Sequence, residues 1–208
     1  MRPLELFRSA GYLAANANGL VMGFVTIGLL FVYSLIFWQV QNDSAIAAGV
    51  RFLPLTIAFV LTAPLVGRLI HRAGTRLPMA VGAGLLALAA LLLLRVDANT
   101  GYDALWWPFA VIGIGYGLLS TTTATAVLAC VPPQRAGIAS ATNLTARLIG
   151  GVFGIAVLGA VLPSGHGQTF AHQFTDGLHT AMITAAAVAT VGAALAASLA
   201  PSSRPTPA

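Results

Sequence analysis

The stretch LPMAVGAGLLALAALLLL, residues 77–94, contains no charged side chain and no side chain that can donate or accept a strong hydrogen bond. An α-helix needs about 18 or more consecutive apolar residues to cross the hydrocarbon core of a bilayer, and this stretch is long enough. Its consecutive apolar residues lack the period of two that a membrane β-strand requires. Residues 77–94 therefore predict a transmembrane helix.

The composition of the whole chain agrees with a membrane environment. Of its 208 residues, 58% are hydrophobic and only 7% are charged, and the mean hydropathy is +0.88. A water-soluble domain carries roughly 25% charged residues, because water must solvate its surface. The class of water-soluble globular proteins is therefore excluded, and lipid is the expected solvent for most of the surface.

Five further apolar runs of similar length flank this stretch, separated by short segments rich in Asp, Asn, Pro, Gly and Arg. The expected fold class is an all-α membrane protein with six transmembrane helices. A cytoplasmic lead, residues 1–18, precedes the bundle, and a disordered cytoplasmic tail, residues 201–208, follows it. The predicted spans, numbered one to six in chain order, are 19–40, 48–70, 77–94, 104–131, 138–162 and 178–200.

The basic residues predict the orientation. All of them are arginines, and if six helices alternate in direction, seven arginines lie on one side and two, Arg51 and Arg95, on the other. The positive-inside rule then places both termini in the cytoplasm. All-Arg usage with abundant Ala and Gly suggests a bacterial source, hence the cell (inner) membrane. The seven are Arg2, Arg8, Arg68, Arg72, Arg76, Arg135 and Arg204.

Polar side chains distinguish the spans. Spans three and six are nearly free of them, so we expect these two to face lipid. Spans one, four and five carry several, so we expect these three to face a protein interior or a cavity. Arg147 lies near mid-membrane, where it needs a partner or water. It is equally consistent with a structural role, bonded to backbone carbonyls or to a partner domain. The candidates for lining a substrate cavity are Tyr33, Gln39, Tyr116, Asn143 and Arg147.

Three glycines follow Arg147 in span five. Gly150 and Gly154 form a small-xxx-small pair, and Gly151 widens the same flat face. Such a face allows the backbone of a neighbouring helix to approach closely. We therefore predict that Gly150, Gly151 and Gly154 are helix-packing residues.

The segment GRLIHRAGTR, residues 67–76, predicts a tight basic turn between spans two and three. One interpretation is an ordinary cytoplasmic loop that obeys the positive-inside rule. The spacing also resembles the GxLaDrxGrk loop of the major facilitator superfamily, although His71 stands where that family has an Asp that helps to gate one conformation. A neutral His cannot repeat this charge contact. The resemblance implies a conformational loop formed by Gly67, Arg68, His71, Arg72, Gly74 and Arg76.

Span five carries a second resemblance. Its Ala-Ser, Asn143, Arg147 and Gly-Gly pattern is similar to the penultimate helix of the fourteen-span drug:proton antiporters (EmrB/QacA type) of that superfamily. The resemblance extends over essentially the whole chain and corresponds to the last six spans, that is, the C-terminal six-helix half of a major facilitator fold. In that fold the first, second, fourth and fifth helices of each half line the cavity.

The resemblance implies transmembrane transport by a proton-coupled multidrug or small-molecule efflux permease. Its expected substrates are amphipathic, often cationic small molecules. No Asp or Glu lies inside a predicted span, and proton coupling needs a titratable group in the pathway. Protons are therefore expected to pass through a missing N-terminal half, and the chain is expected to be incomplete alone.

Other function classes remain as alternatives or are disfavoured. The alternatives are a self-associating six-span transporter and a membrane subunit that does not transport. No cluster of His, Asp, Cys or Ser lies at membrane depth, so we expect no enzyme and no cofactor. The spacing of His166, His172 and His179 does not place them on one helix face, so no metal is expected. The arginines fall in short gaps without interleaved aromatics, which disfavours nucleic-acid binding.

Overall fold

The computed structural model describes residues 9–40, 44–94, 105–162 and 168–199, and the regular secondary structure of these residues is helical. A π-helical turn, Ile36–Val40, continues the first helix, and a short 3-10 turn, Pro133–Arg135, precedes the sixth. The α-helices are α1 (Ala10–Leu35), α2 (Ala45–Arg51), α3 (Leu53–Ala73), α4 (Arg76–Leu93), α5 (Trp106–Ala129), α6 (Ala136–Ala160) and α7 (Gln168–Leu199).

Six helical segments are long and apolar enough to cross a membrane. Helices α2 and α3 count as one of them, because the segment Ile46–Arg72 continues from one to the other. Predicted spans one to six thus correspond to α1, α2 with α3, α4, α5, α6 and α7. The prediction of a six-helix membrane bundle is confirmed.

Helices α1 and α7 begin about nine or ten residues before the predicted spans. Helix α1 begins at Ala10, inside the predicted lead 1–18, and α7 begins at Gln168, well before residue 178. The first turns of α1 contain polar residues, so the apolar run in the sequence begins later than the helix. The amide of Asn16 donates to the carbonyl of Tyr12 at 2.8 Å, and the amide of Asn18 donates to Ala14 at 3.3 Å. Because the amide nitrogens bond to carbonyls of α1 itself, these side chains do not interrupt the helix.

Helix α1 forms the centre of the bundle. It packs against α5, α6 and α7, while α4 packs between α5 and α7, and α3 packs on α5. In the most apolar stretch of α1, 67% of the residues are buried, against 6% in the α2–α3 segment. The bundle therefore has its buried core around α1 and a long exposed apolar surface on α3.

Helix α4 has two different faces, although we expected span three to face lipid. Met79, Ala83, Leu86 and Leu93 are fully buried against neighbouring helices, whereas Leu88 and others are exposed. A helix without polar side chains can pack on protein as readily as on lipid, because both surroundings are apolar. The lack of polar residues in span three, residues 77–94, therefore did not indicate which of its faces would pack on protein.

Helices α1 and α6 touch through their backbones. A Cβ atom added to Gly23 would overlap the carbonyl oxygen of Arg147, and one added to Gly150 or Gly154 would overlap the carbonyl of Leu20 or Phe24. A Cβ on Gly151 would meet the side chain of Ile27 at 2.5 Å. All three glycines predicted for helix packing therefore lie against α1, and this contact needs residues without side chains.

We expect Gly154→Ala to lower the free energy of unfolding by about 1–3 kcal/mol, because the new methyl group must push α1 away from α6. Gly137→Ala is the matched control on the same helix, since a Cβ there would meet nothing within 4 Å. Thermal unfolding of both variants in detergent, followed by helical circular dichroism, measures the difference. Equal unfolding temperatures for the two variants would contradict the close contact.

Candidate functional site

Polar and aromatic side chains from three helices meet near the middle of the bundle. The guanidinium of Arg147 in α6 donates a hydrogen bond to the hydroxyl of Tyr116 in α5, with Nη1 and Oη 3.5 Å apart. The ring of Tyr116 packs against Phe59 of α3, with ring centroids 5.2 Å apart and an interplanar angle of 48°. We refer to Arg147, Tyr116 and Phe59 as the central cluster.

Contact with α1 positions Arg147. Its backbone carbonyl lies against Gly23, so the backbone of α6 is held close to α1 at this turn. The side chain is half-buried and reaches across to α5. A charged side chain at this depth costs about 3 kcal/mol or more unless a countercharge or water compensates it. The tyrosine hydroxyl is neutral, and no Asp or Glu lies within the six spans, so the charge of Arg147 has no acidic partner inside them.

Asn143 lies one turn before Arg147 and contacts α1 directly. Its side-chain amide donates to the carbonyl of Ala15 at 3.4 Å. A Cβ on Gly19 would lie 2.8 Å from the same amide nitrogen. Asn143 is half-buried. The structure thus places Asn143 at the contact between α1 and α6, where it holds the two helices together beside the central cluster.

A shallow groove of about 420 Å³ follows the outer face of α6. The hydroxyls of Thr142 and Thr145 donate to carbonyls one turn earlier in the same helix, each at 2.9 Å, so the groove presents mainly apolar atoms. Small residues and threonines at helical spacing were the available signal for this groove in the sequence, and no residue lining it was among the predicted cavity residues. It is lined by Ile138, Ala141, Thr142, Thr145, Ala146 and Ile149.

Tyr33 does not line an opening of this bundle, which differs from the prediction that it lines the cavity. Its side chain is fully buried, and its ring lies edge-on to Phe109 at 5.2 Å and near Phe37 at 6.2 Å. The guanidinium of Arg51 sits 4.9 Å above the ring of Phe37. Tyr33 therefore belongs to an aromatic cluster in the core. The side chain of Gln39, another predicted cavity residue, lies outside the described part of the chain.

Most of the segment 67–76 is helix, and the turn between predicted spans two and three is shorter than the gap 71–76 that those spans leave. Helix α3 continues to Ala73, and only Gly74 and Thr75 connect it to α4. Gly67, Arg68, His71 and Arg72 thus lie in the last two turns of α3, where no residue interrupts the backbone hydrogen bonds. The side chains of Arg68, His71 and Arg72 are exposed.

Gly74 and Arg76 make the connection itself. Gly74 has φ 72° and ψ −172°, a backbone conformation open essentially to glycine alone. Arg76, the first residue of α4, donates a hydrogen bond to the carbonyl of Ala197 near the end of α7. The guanidinium of Arg76 thereby joins the start of α4 to the end of α7 at one end of the bundle.

Metal ligands do not gather in the described part of the chain. No three His, Cys, Asp or Glu side chains among those residues lie close enough to hold a metal ion. Of the three histidines considered above, His166 and the side chain of His172 lie outside the described residues, and His179 is half-buried in α7.

Comparisons with known proteins identify similar sequences. The family model described as Major Facilitator Superfamily matches residues 2–155. The tetracenomycin C resistance and export protein of Streptomyces glaucescens is 32% identical over 178 residues, which is 85% of this chain and 33% of that protein. The multidrug resistance protein Stp of Mycobacterium tuberculosis is 33% identical over 162 residues, 78% of this chain and 30% of that protein.

A further relative matches a slightly larger share of the chain. The methylenomycin A resistance protein of Streptomyces coelicolor is 28% identical over 186 residues, 89% of this chain and 37% of that protein. The chain thus spans about a third of the length of the curated relatives it matches.

We expect Gly74→Ala to destabilise the bundle by about 1–3 kcal/mol, because a side chain is strained at this φ and ψ whatever space surrounds it. Gly84→Ala in α4 is the control, since a Cβ there would meet nothing within 4 Å and alanine favours the helix. Thermal unfolding in detergent measures the difference in stability between the two variants. If Gly74→Ala is as stable as Gly84→Ala, the connection does not need a positive φ.

Proposed function

Because this chain belongs to the Major Facilitator Superfamily, a family of transporters, we propose that it is one six-helix bundle of a permease that exports amphipathic small molecules. The names of its relatives support export: one is a tetracenomycin C resistance and export protein, and another is a multidrug resistance protein. In this proposal the chain is the C-terminal bundle of the permease and works with a second bundle of six helices.

The surface around Arg147 is the observation that carries this proposal. Lipid can cover the exposed apolar side chains of α3 and α6, but it cannot solvate a guanidinium in the middle of the bilayer. Half-buried Arg147 therefore needs water or protein on its open side. A second bundle that encloses a water-filled cavity against α3, α5 and α6 supplies both, as in transporters built from two bundles.

We also propose that the protein lies in the cell (inner) membrane with cytoplasmic termini, and the distribution of charged and aromatic residues supports this orientation. Arg68 and Arg72 are exposed at the end of α3, and Arg135 is exposed just before α6, at the same end of the bundle. Trp106 and Trp107 are exposed at the opposite end, at the start of α5. Arginines at the cytoplasmic side and tryptophans at a membrane interface are the usual arrangement.

Proton coupling, in this proposal, depends on the second bundle. The spans of this chain contain no Asp or Glu, and an intramembrane carboxylate is the usual group that takes up and releases a proton in a transporter. The second bundle would therefore contribute the coupling carboxylate, and this chain would contribute part of the substrate surface.

We expect residues 1–208 expressed alone in an efflux-deficient bacterium to give no export of a fluorescent amphiphile. Co-expression with the N-terminal part of a related exporter should restore export, because two bundles then enclose the cavity. The measurement is the rate at which preloaded dye leaves the cells. Export by the lone chain at the rate of the pair would contradict the proposal and favour a self-associating transporter.

Two leucine variants serve as matched controls in the same assay. Gly154→Leu should abolish export, because its side chain separates α1 from α6, where a Cβ already overlaps the carbonyl of Phe24. Gly84→Leu should leave export unchanged, because a Cβ at this position meets no other atom within 4 Å. Similar export rates for the two variants would show that the restored export does not depend on this bundle.

A further inference from the structure

We propose that Arg147 and Tyr116 form a recognition site for an organic oxyanion, such as the carboxylate, phenolate or sulfonate group of an amphipathic substrate. This inference rests on the proposed transport function and narrows its substrate class. It differs from the expectation of often cationic substrates, because a cation would meet the uncompensated positive charge of Arg147.

The charge balance at mid-membrane points to an anion. Arg147 is the one charged residue in the middle of α6, and the six spans contain no carboxylate that could neutralise it. Among the described residues its guanidinium has one hydrogen-bond partner, the hydroxyl of Tyr116. An oxyanion on the open side of Arg147 would therefore supply the missing countercharge.

The donor groups match the geometry of an oxyanion. A guanidinium presents five N–H donors in a planar fork, and only one nitrogen, Nη1, points to Tyr116. The remaining donors can bind a carboxylate or sulfonate through two parallel hydrogen bonds. The Tyr116 hydroxyl accepts the bond from Arg147 and still has its own proton to donate to the same anion. The pair thus offers two donors of different kinds next to each other.

The surroundings suit the apolar part of an amphipathic anion. Phe59 packs on the ring of Tyr116 and forms an aromatic wall beside the donors. Binding sites for small molecules commonly combine apolar walls with a few fixed polar groups, and this is such a combination.

Depth excludes lipid phosphate as the anion. Arg147 lies about 16 Å along the helix from Ala136 at the start of α6, at about 1.5 Å of rise per residue. Half of a bilayer hydrocarbon core is about 15 Å thick, so Arg147 is near its centre and lipid headgroups lie beyond reach. The anion must come from a molecule in the cavity or from a carboxylate of a facing bundle, and the experiment distinguishes these two sources.

The test uses two fluorescent probes with the same ring system. 1-Anilinonaphthalene-8-sulfonate carries an oxyanion, and N-phenyl-1-naphthylamine lacks it. Both are titrated into nanodiscs that contain residues 1–208, and the signal of empty nanodiscs is subtracted. We expect Arg147→Gln to weaken binding of the sulfonate roughly tenfold or more, since hydrogen bonds to charged groups are worth about 1.5–3 kcal/mol, and to change binding of the neutral probe less than about twofold.

Two further variants make the result specific. Arg135→Gln removes the same charge from an exposed position before α6 and should change neither affinity. Tyr116→Phe keeps the ring on Phe59 but removes the hydroxyl. It should weaken binding of the sulfonate roughly tenfold, as expected for one hydrogen bond to a charged group, and leave binding of the neutral probe unchanged. If Arg147→Gln fails to fold, as judged by helical circular dichroism, Tyr116→Phe alone tests the proposal. Equal changes for both probes, or no change for either, would overturn the proposal.

Export in the co-expressed pair separates the two sources of the anion. If Arg147→Gln reduces export of anionic amphiphiles and spares neutral ones, the substrate supplies the oxyanion. If it reduces both equally and the nanodisc titration is unselective, Arg147 pairs with a facing carboxylate and the proposal fails. Selective binding of the sulfonate without export of any amphiphile would instead remove the transport function and leave the oxyanion site standing.

Discussion

Backbone contact between α1 and α6 determines where the polar groups of this bundle lie. In a membrane, lipid tails are as apolar as leucine, so helices gain little from hiding apolar side chains and must gain from close packing. Gly23, Gly150 and Gly154 allow that packing, because carbonyl groups of the opposite helix occupy the space of the missing side chains. The same contact holds the backbone of Arg147 against α1 and leaves its side chain directed to α5.

The arrangement of the other helices follows from the central position of α1. Helices α5 and α7 also pack on α1, α4 fills the space between them, and α3 lies on α5. This order leaves α3 and the outer face of α6 with exposed apolar side chains, on either side of the polar cluster of Arg147 and Tyr116. In the transport function that we propose, a surface of this kind, apolar at its margins and cationic at mid-depth, would enclose a cavity that holds amphipathic molecules.

Tyr33 and Arg147 show when a polar side chain in a transmembrane span indicates a cavity and when it does not. Both are polar residues in apolar helices, and both were predicted to face a cavity. Tyr33 is enclosed by Phe37 and Phe109, because most of a tyrosine is an apolar ring that packs well in a core. Arg147 cannot be enclosed in this way, since its charge requires a polar surrounding at any depth. A polar side chain in a span therefore indicates a cavity more strongly when burying that side chain in the core costs more free energy.

The sequence alone determined the membrane environment, the number of spans and the glycines that allow close packing, because these follow from the apolarity and size of each residue. It also placed Arg147 near mid-membrane. Only the tertiary structure decided that α6 packs on α1, that Asn143 bonds the carbonyl of Ala15, and that Arg147 meets Tyr116. These contacts join residues far apart in the chain, and helical periodicity shows the face of a residue but not which helix will cover it.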